Sequence, residues 1–168
     1  MKQRLLTLVI FCVLASLLVA HPHFSKTVTG DLEGNKLTLK FTTFPYDEEH
    51  LAKVEKGFVF HCGRATLTLT GSAKSGGQAI AAGEYLVRAQ ANSLDDWTLI
   101  LVPSAGVENN YSVEVSGGIK LESATLTGLP SSHHLDLNLY GGHGPTDGKL
   151  IVSVAFGERK VESVLEVG

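Results

Sequence analysis

Alternation of apolar and polar residues with a period of two is the feature that most constrains how this chain can fold. In residues 36–41, Leu37, Leu39 and Phe41 share one face and polar residues occupy the other. Successive side chains of a β-strand point to opposite sides of the sheet, so this pattern predicts strands with one buried face. Alternation or a nearly continuous apolar run marks further predicted strands at residues 65–70, 97–102, 111–116, 135–140, 151–155 and 160–167.

Glycine-rich turns separate these strands at intervals of about 8–12 residues, a spacing typical of a sandwich or a barrel. We therefore predict one all-β domain over residues 21–168, an antiparallel β-sandwich of about eight to ten strands, with a closed β-barrel as the alternative. Acidic residues from Asp47 onward start one short predicted helix near residues 47–54. The predicted core consists of Leu37, Leu39, Phe41, Leu67, Leu69, Tyr85, Trp97, Leu99, Leu101, Leu135, Leu137, Val152 and Val154.

The first twenty residues have the organisation of a secretory signal peptide. Lys2 and Arg4 precede an apolar stretch over residues 5–18, and Ala20 ends it with a small residue. The stretch is shorter than the roughly 20 apolar residues that a spanning helix needs. We therefore predict cleavage after Ala20, export to the periplasm or the medium, and no stable membrane insertion once residues 1–20 are removed. An uncleaved membrane anchor is the alternative.

Cysteine content and charge indicate which modifications and partners to expect. Cys12 lies inside the apolar stretch without the small residue that precedes a lipidated cysteine, so we expect no lipidation. Its removal leaves Cys62 alone, and the mature chain has no internal disulfide. Loss of the two cations Lys2 and Arg4 changes the formal net charge from −3 to −5. Without a basic cluster, we expect no nucleic-acid partner.

Two short motifs in the middle of the chain are its most distinctive sequence features. Residues 82–85 read Ala-Gly-Glu-Tyr, and residues 97–100 read Trp-Thr-Leu-Ile. Together with residues 25–28 and the strand at residues 37–41, they resemble a secreted bacterial family known as domain of unknown function 2911. The resemblance covers about residues 25–104 and implies an exported β-domain. Because that family has no assigned activity, the resemblance implies no catalytic residue.

The chain departs from that family at residues 60–65, which read Phe-His-Cys-Gly-Arg-Ala. The family has Trp-Arg-x-Gly-Ala-Asn there, so a tryptophan and an asparagine are missing, and a histidine and a cysteine are added. The two distinctive motifs also predict local structure. Gly83 suits a tight turn at the entry to a strand. We expect Tyr85 and Trp97 to pair across a hairpin in the core, with ligand stacking by Trp97 as the alternative.

Histidines are the residues that most suggest a chemical function, namely metal binding, and all seven lie in the predicted mature part. Cleavage after Ala20 would make His21 the amino terminus, where its amine and ring chelate one copper ion and a distant imidazole completes the site. His23 binds only through its ring, because Pro22 has no backbone N–H. Structural or solvated histidines are the alternative. The candidate copper or zinc ligands are His21, His23, His61, His134 and His143.

Other site chemistries have weaker signals. No serine lies in a Gly-x-Ser-x-Gly word, and residues 71–77 lack the lysine and helix of a phosphate loop. A nucleophilic Cys62 would need a base and an acid that no spacing identifies. Arg64 and Arg88 fall in predicted strands, where we expect outward-facing ion pairs and hold an anion site as the alternative. We assign no catalytic and no cofactor-binding residue.

These observations favour an exported binding or interaction module without enzymatic activity, acting on an unidentified ligand or protein partner. The alternative is a periplasmic metal-binding protein that uses His21 with other histidines. The two hypotheses differ in what the fold must bring together. A structure with His21 more than about 12 Å from every other histidine would exclude the metal site, since metal–nitrogen bonds are near 2 Å.

Overall fold

The structure is a computed structural model that describes residues 23–168, so the predicted signal peptide and His21 lie outside the described residues. One short helix, α1 (Glu48–Leu51), and two 3-10 turns, Cys62–Arg64 and Gly144–Thr146, accompany the strands. The described strands are β1 (Phe24–Leu32), β2 (Asn35–Thr43), β3 (Val59–Phe60), β4 (Thr66–Leu69), β5 (Ala73–Ser75), β6 (Gln78–Ile80), β7 (Gly83–Ser93), β8 (Asp96–Pro103), β9 (Ile119–Lys120), β10 (Ser123–Leu126), β11 (Ser132–Gly141), β12 (Leu150–Gly157) and β13 (Arg159–Val167).

The strands form two antiparallel sheets that pack face to face. Sheet 1 has the order β1-β2-β4-β7-β8-β9, and β3 pairs with β7 beyond the end of β4. Sheet 2 has the order β11-β12-β13-β5-β6, and β10 pairs with β13. This architecture confirms the predicted antiparallel sandwich, and the described strands do not close into the alternative barrel.

The core lies between the sheets, where the apolar faces predicted from the alternation meet. Along β2, Leu37, Leu39 and Phe41 are buried and alternate with more exposed residues. Every residue of the predicted core is buried. Trp97, which is 1% exposed, is among the largest of these side chains. The two-residue period therefore identified the inner face of each sheet correctly.

On one side of the sandwich, the segment from β9 to β10 passes from sheet 1 to sheet 2. Its first strand pairs with β8, and its second strand pairs with β13. The Ser123 hydroxyl accepts a hydrogen bond from the Leu99 N–H at 2.9 Å, and the Thr125 hydroxyl accepts one from the Trp97 N–H at 2.9 Å. These side chains satisfy buried backbone donors of β8 that no neighbouring strand reaches.

On the other side, residues 43–46 leave β2 and pair with the start of β11. The Leu135 N–H donates to the Phe44 carbonyl at 2.9 Å, and the Tyr46 N–H donates to the His133 carbonyl at 2.9 Å. The Thr43 hydroxyl also donates to the Leu135 carbonyl at 2.8 Å. The chain therefore joins the two sheets here before it enters α1.

The predicted strand at residues 111–116 is wrong. This segment belongs to a loop over residues 104–118, and Tyr111 and Val113 are 59% and 51% exposed. The loop packs on the outer face of sheet 1, where Val107 and Val115 cover a small apolar cluster. Of the alternating residues only Val115 packs on this cluster, while Tyr111 and Val113 are exposed, and a buried cation fixes the loop.

That cation is Arg88, which is fully buried and forms no ion pair with a described acidic side chain. Its Nε donates to the Ser112 carbonyl at 2.9 Å, and one terminal nitrogen donates to the Asn110 carbonyl at 3.0 Å. The other terminal nitrogen donates to the Val87 carbonyl at 2.9 Å. The expected outward-facing ion pair is therefore wrong for Arg88, because loop carbonyls solvate the charge in place of a carboxylate.

Two further expectations need correction. Tyr85 and Trp97 are both buried but do not pair, because Tyr85 lies opposite Pro103 and Trp97 lies opposite Ala91. The hairpin is long, and its register separates the two rings along the strands. The predicted helix near residues 47–54 is present but shorter, because α1 covers only Glu48–Leu51.

The role of Arg88 predicts the effect of its removal. Arg88→Met keeps much of the apolar stem but leaves loop carbonyls of Asn110 and Ser112 without donors, so we expect a loss of about 2–3 kcal/mol in the free energy of unfolding. Urea unfolding measures the loss, and amide exchange over residues 104–118 should accelerate. Lys149→Met, which breaks an exposed ion pair, should cost less than about 1 kcal/mol. Equal effects of the two substitutions would contradict this role of Arg88.

Candidate functional site

A cavity of about 360 Å³ lies at the corner of the sandwich where residues 43–46 cross between the sheets. Natural ligand pockets have volumes of about 300–1,000 Å³, apolar and aromatic walls, and a few polar groups. This cavity has both the size and the composition of that class. Its lining residues are Phe44, Pro45, Tyr46, Asp47, Leu51, Val54, Phe58, Phe60, His61, Trp97, Leu135 and Phe156.

Both sheets and the crossing segment contribute to the walls. Sheet 1 contributes Phe60 and Trp97, sheet 2 contributes Leu135 and Phe156, and residues 44–58 provide the remaining side. Trp97 has no indole N–H to offer a ligand, because its Nε1 donates to the Leu94 carbonyl at 2.9 Å. The Trp97 ring does line the cavity, so its ligand-stacking role stays a prediction.

A chain of aromatic contacts shapes the walls. The Phe44 and Phe60 ring centroids lie 5.8 Å apart, and Phe60 lies 6.1 Å from Phe156. Phe156 then lies 5.2 Å from Trp97, which lies 6.2 Å from Phe58. Edge and tilted contacts of this kind are favoured over flat stacking and restrain ring orientation. The rings therefore support one another as a rigid apolar wall.

A left-handed turn interrupts the strand between β3 and β4 beside the cavity. Cys62, Gly63 and Arg64 have φ values of 50°, 65° and 58°. This conformation costs a non-glycine residue about 1–2 kcal/mol. Gly63 is required on a second ground, because a Cβ there would collide with the Thr42 carbonyl and lie 2.9 Å from a Leu135 methyl carbon. Such strain clusters at functional sites.

The turn positions His61, the polar side chain at the edge of the wall. Its ring stacks on Phe60 with centroids 5.6 Å apart and meets Tyr111 edge-on at 5.9 Å. The Arg64 N–H approaches His61 Nδ1 at 3.4 Å. Burial lowers the pKa of His61, and the charges of Arg88 and Arg64 lower it further. The imidazole is therefore neutral at neutral pH, with Nδ1 as acceptor and its proton on Nε2 as a donor.

Cys62 is fully buried next to this histidine, and its thiol approaches the Phe60 carbonyl at 3.6 Å. Burial raises the pKa of Cys62 to about 12. A thiol with this pKa is protonated at neutral pH, and the thiolate is the reactive form of cysteine. The packing therefore makes Cys62 a small core residue rather than a nucleophile.

The predicted metal ligands do not all come together. The rings of His23 and His61 lie 6.5 Å and 6.3 Å from Phe44, and His134 pairs with Pro45 in the neighbouring crossing. His143 follows the other end of β11, and a strand advances about 3.3 Å per residue, so it is more than about 20 Å from His134.

Within residues 23–168, no group of three histidine, cysteine, aspartate or glutamate side chains is placed to hold a metal ion. A copper or zinc site built on His21 stays a prediction, because His21 lies outside the described residues.

Sequence reasoning identified His61 and Trp97 but missed most of the cavity wall. Four of the seven phenylalanines fall within residues 41–60, a segment interpreted only as a strand and a short helix. Three of them, Phe44, Phe58 and Phe60, line the cavity. This concentration of aromatic residues around a segment that is not a regular strand is the sequence feature that could have indicated the cavity wall.

Comparisons with known proteins add no relative, since no family model, curated protein or solved structure matches the chain. The resemblance to domain of unknown function 2911 therefore stays a prediction. Over residues 23–168, no helix is long and apolar enough to cross a membrane.

The turn at Gly63 gives a direct test of the strain beside the cavity. Gly63→Ala adds a Cβ against the Thr42 carbonyl at positive φ, so we expect a loss of about 2–4 kcal/mol in the free energy of unfolding. Gly57→Ala is the matched control, because its φ is 92° and no atom lies within 4 Å of the added Cβ. Urea unfolding should show a clearly smaller loss for the control. Similar losses would mean that the close approach at Gly63 is unimportant.

The lowered pKa of His61 predicts a pH dependence of stability. As the pH falls below about 6.5, the unfolded chain binds a proton at His61 before the folded protein does, so folding stability is lost with acidification. The stabilising contribution is complete above that pH. His61→Gln should reduce the loss between about pH 7.5 and pH 5 relative to the wild type, as measured by urea unfolding.

The matched control for this pH series is His143→Gln, which changes an exposed loop histidine and leaves the surroundings of His61 intact. Between about pH 7.5 and pH 5, His143→Gln should lose more of its free energy of unfolding than His61→Gln does. Identical pH profiles for the two variants would show that His61 titrates alike in the folded and unfolded states.

Proposed function

We propose that the protein is an exported binding module that holds a small apolar ring compound in the cavity between its sheets. The observation that carries the proposal is the aromatic wall formed by Phe44, Phe60, Phe156 and Trp97 around a cavity of about 360 Å³. Apolar surface of this kind gains free energy when a ligand removes it from water, at about 25 cal/mol per Å². The wall is also restrained by its ring contacts, so little ordering is needed on binding.

The volume limits the size of the ligand. An engineered apolar cavity of about 150 Å³ binds benzene, and this cavity is more than twice as large. One ring with a substituent or two fused rings therefore match the space. For about a dozen non-hydrogen atoms, ligand efficiencies of about 0.5 kcal/mol per atom correspond to a Kd of about 10–100 μM.

The polar lining residues Tyr46 and His61 suit orientation of a ligand rather than bond cleavage, and the third, Asp47, accepts the Glu49 N–H at the start of α1. Burial raises the pKa of Tyr46, with Glu48 adding to the shift, so its phenol stays protonated. The neutral His61 supplies an N–H donor at the edge. The buried Cys62 is protonated. These states support binding without enzymatic activity.

Export is supported by the sequence of residues 1–20. Lys2 and Arg4 precede the apolar stretch, and Ala20 provides the cleavage position. A ligand-binding module outside the cytoplasm would meet its ligand in the periplasm or the medium. The cavity and the export signal together define the proposed role.

A neutral probe tests the proposed function. We expect 2-acetylnaphthalene to bind the purified protein with a Kd of about 10–100 μM. Calorimetry measures the affinity, and quenching of Trp97, the one tryptophan of the chain, reports binding at the cavity wall. Val54→Phe places a ring in the cavity and should weaken binding by about tenfold or more.

Val167→Phe is the matched control, because it makes the same substitution at an exposed position near the end of β13. It should bind the probe like the wild type. Urea unfolding verifies that both variants are folded. If the probe does not bind the wild type, or if folded Val54→Phe binds it equally well, the cavity is not the binding site.

A further inference from the structure

Two arginines without acidic partners stand beside the cavity. Within the described residues, Arg64 and Arg88 form no ion pair with a carboxylate, whereas Arg159 meets Asp95 at 2.8 Å. Both guanidinium charges act on His61, whose pKa they lower in addition to the effect of burial. The edge of the cavity at His61 therefore carries local positive charge, and the one acidic residue of the lining, Asp47, accepts the Glu49 N–H at the start of α1.

The two arginines have different capacities to bind a ligand. Arg88 is fully buried and donates to the carbonyls of Ser112, Asn110 and Val87, so it contributes only a fixed field. Arg64 is exposed, and its guanidinium lies 4.9 Å from the Tyr111 ring centroid. Its one described side-chain hydrogen bond is a long contact of 3.5 Å to the Thr42 hydroxyl. A guanidinium has five N–H donors, so most of the Arg64 fork is open to an anion.

Tyr111 contacts both this guanidinium and His61. The same ring that lies 4.9 Å from the Arg64 guanidinium carbon meets the His61 ring at 5.9 Å. The Asn110 amide donates to the Arg64 carbonyl at 2.9 Å, which ties the loop to the left-handed turn. Loop and turn therefore hold the Arg64 guanidinium and the His61 ring against the same tyrosine, and His61 lines the edge of the cavity.

We infer, on the basis of the proposed function, that the ligand is an apolar carboxylate. Its one or two rings occupy the aromatic cavity, and its carboxylate accepts hydrogen bonds from Arg64 and His61. Charge-assisted bonds from a guanidinium to a carboxylate are about twice as strong as neutral ones, and the fork geometry selects a planar two-oxygen acceptor. The field of Arg88 adds to the preference for an anion over a neutral group or a cation.

Three probes with one ring system test the inference. They are 2-naphthoate, the neutral 2-acetylnaphthalene and the cation naphthalen-2-ylmethylammonium, each titrated into the protein by calorimetry at neutral pH. We expect naphthoate to bind about tenfold more tightly than the ketone, a difference that one charge-assisted hydrogen bond provides, and the cation to bind most weakly.

Substitutions locate the source of that preference. Arg64→Gln should reduce the naphthoate-to-ketone affinity ratio from about ten to about one, and Arg64→Lys should keep part of it because the charge remains without the fork. Lys74→Gln removes the same charge from β5 on sheet 2 and should leave the ratio unchanged. The ratio isolates carboxylate recognition from any general weakening of the cavity.

The outcomes separate this inference from the proposed function. If the ketone binds in the cavity and naphthoate binds no more tightly, the carboxylate inference is overturned and the proposed function stands. If naphthoate is preferred but Arg64→Gln and Lys74→Gln leave the ratio equal, Arg64 is not the recognising group and the inference is likewise overturned. If none of the three probes binds, both the proposed function and the carboxylate inference are contradicted.

Discussion

The hydrogen bonds between Phe44 and Leu135, and between Tyr46 and His133, fix the corner on which the site depends. They bind the end of β2 in sheet 1 to the start of β11 in sheet 2 at 2.9 Å each. Phe44 and Tyr46 are half-buried, and pairing with β11 satisfies their backbone groups as the chain leaves sheet 1. The crossing therefore sets the separation of the sheets at this corner, and the space that their aromatic side chains do not fill is the cavity.

The second constraint is a buried positive charge that no carboxylate neutralises. Arg88 is held by backbone carbonyls of residues 110 and 112, and these bonds place the exposed Tyr111 beside the left-handed turn. The same charge acts on His61 and helps to keep its imidazole neutral. One residue outside the cavity thus organises the loop, contributes to the protonation state of the edge histidine, and sets the sign of the local field.

Period-two alternation was sufficient to predict the sandwich and its core, because burial on one face is what creates the pattern. The same logic failed at residues 111–116, where Tyr111, Val113 and Val115 alternate like a strand but lie on a loop fixed by Arg88. Pattern reasoning cannot detect that constraint, since the shorter hydrogen bonds of Arg88 go to backbone carbonyls, which carry no sequence signature, and its one side-chain partner is Asn110 Oδ1 at 3.3 Å. The cavity was hidden for a related reason. Its rings come from both sheets and from an irregular crossing, so only the folded chain brings them together.

The placement of the two arginines also explains how a carboxylate could be held beside an apolar wall. Moving an ionised carboxylate into a fully buried position carries a desolvation cost that a single partner rarely repays. Arg64 and Tyr111 are exposed, so a carboxylate beside them would keep part of its hydration while the rings of the ligand enter the cavity. Arg88 is already solvated by carbonyls and needs no anion, yet its charge still acts at this edge. Direct contact by the exposed arginine and a field from the buried one together favour an anion without burying it.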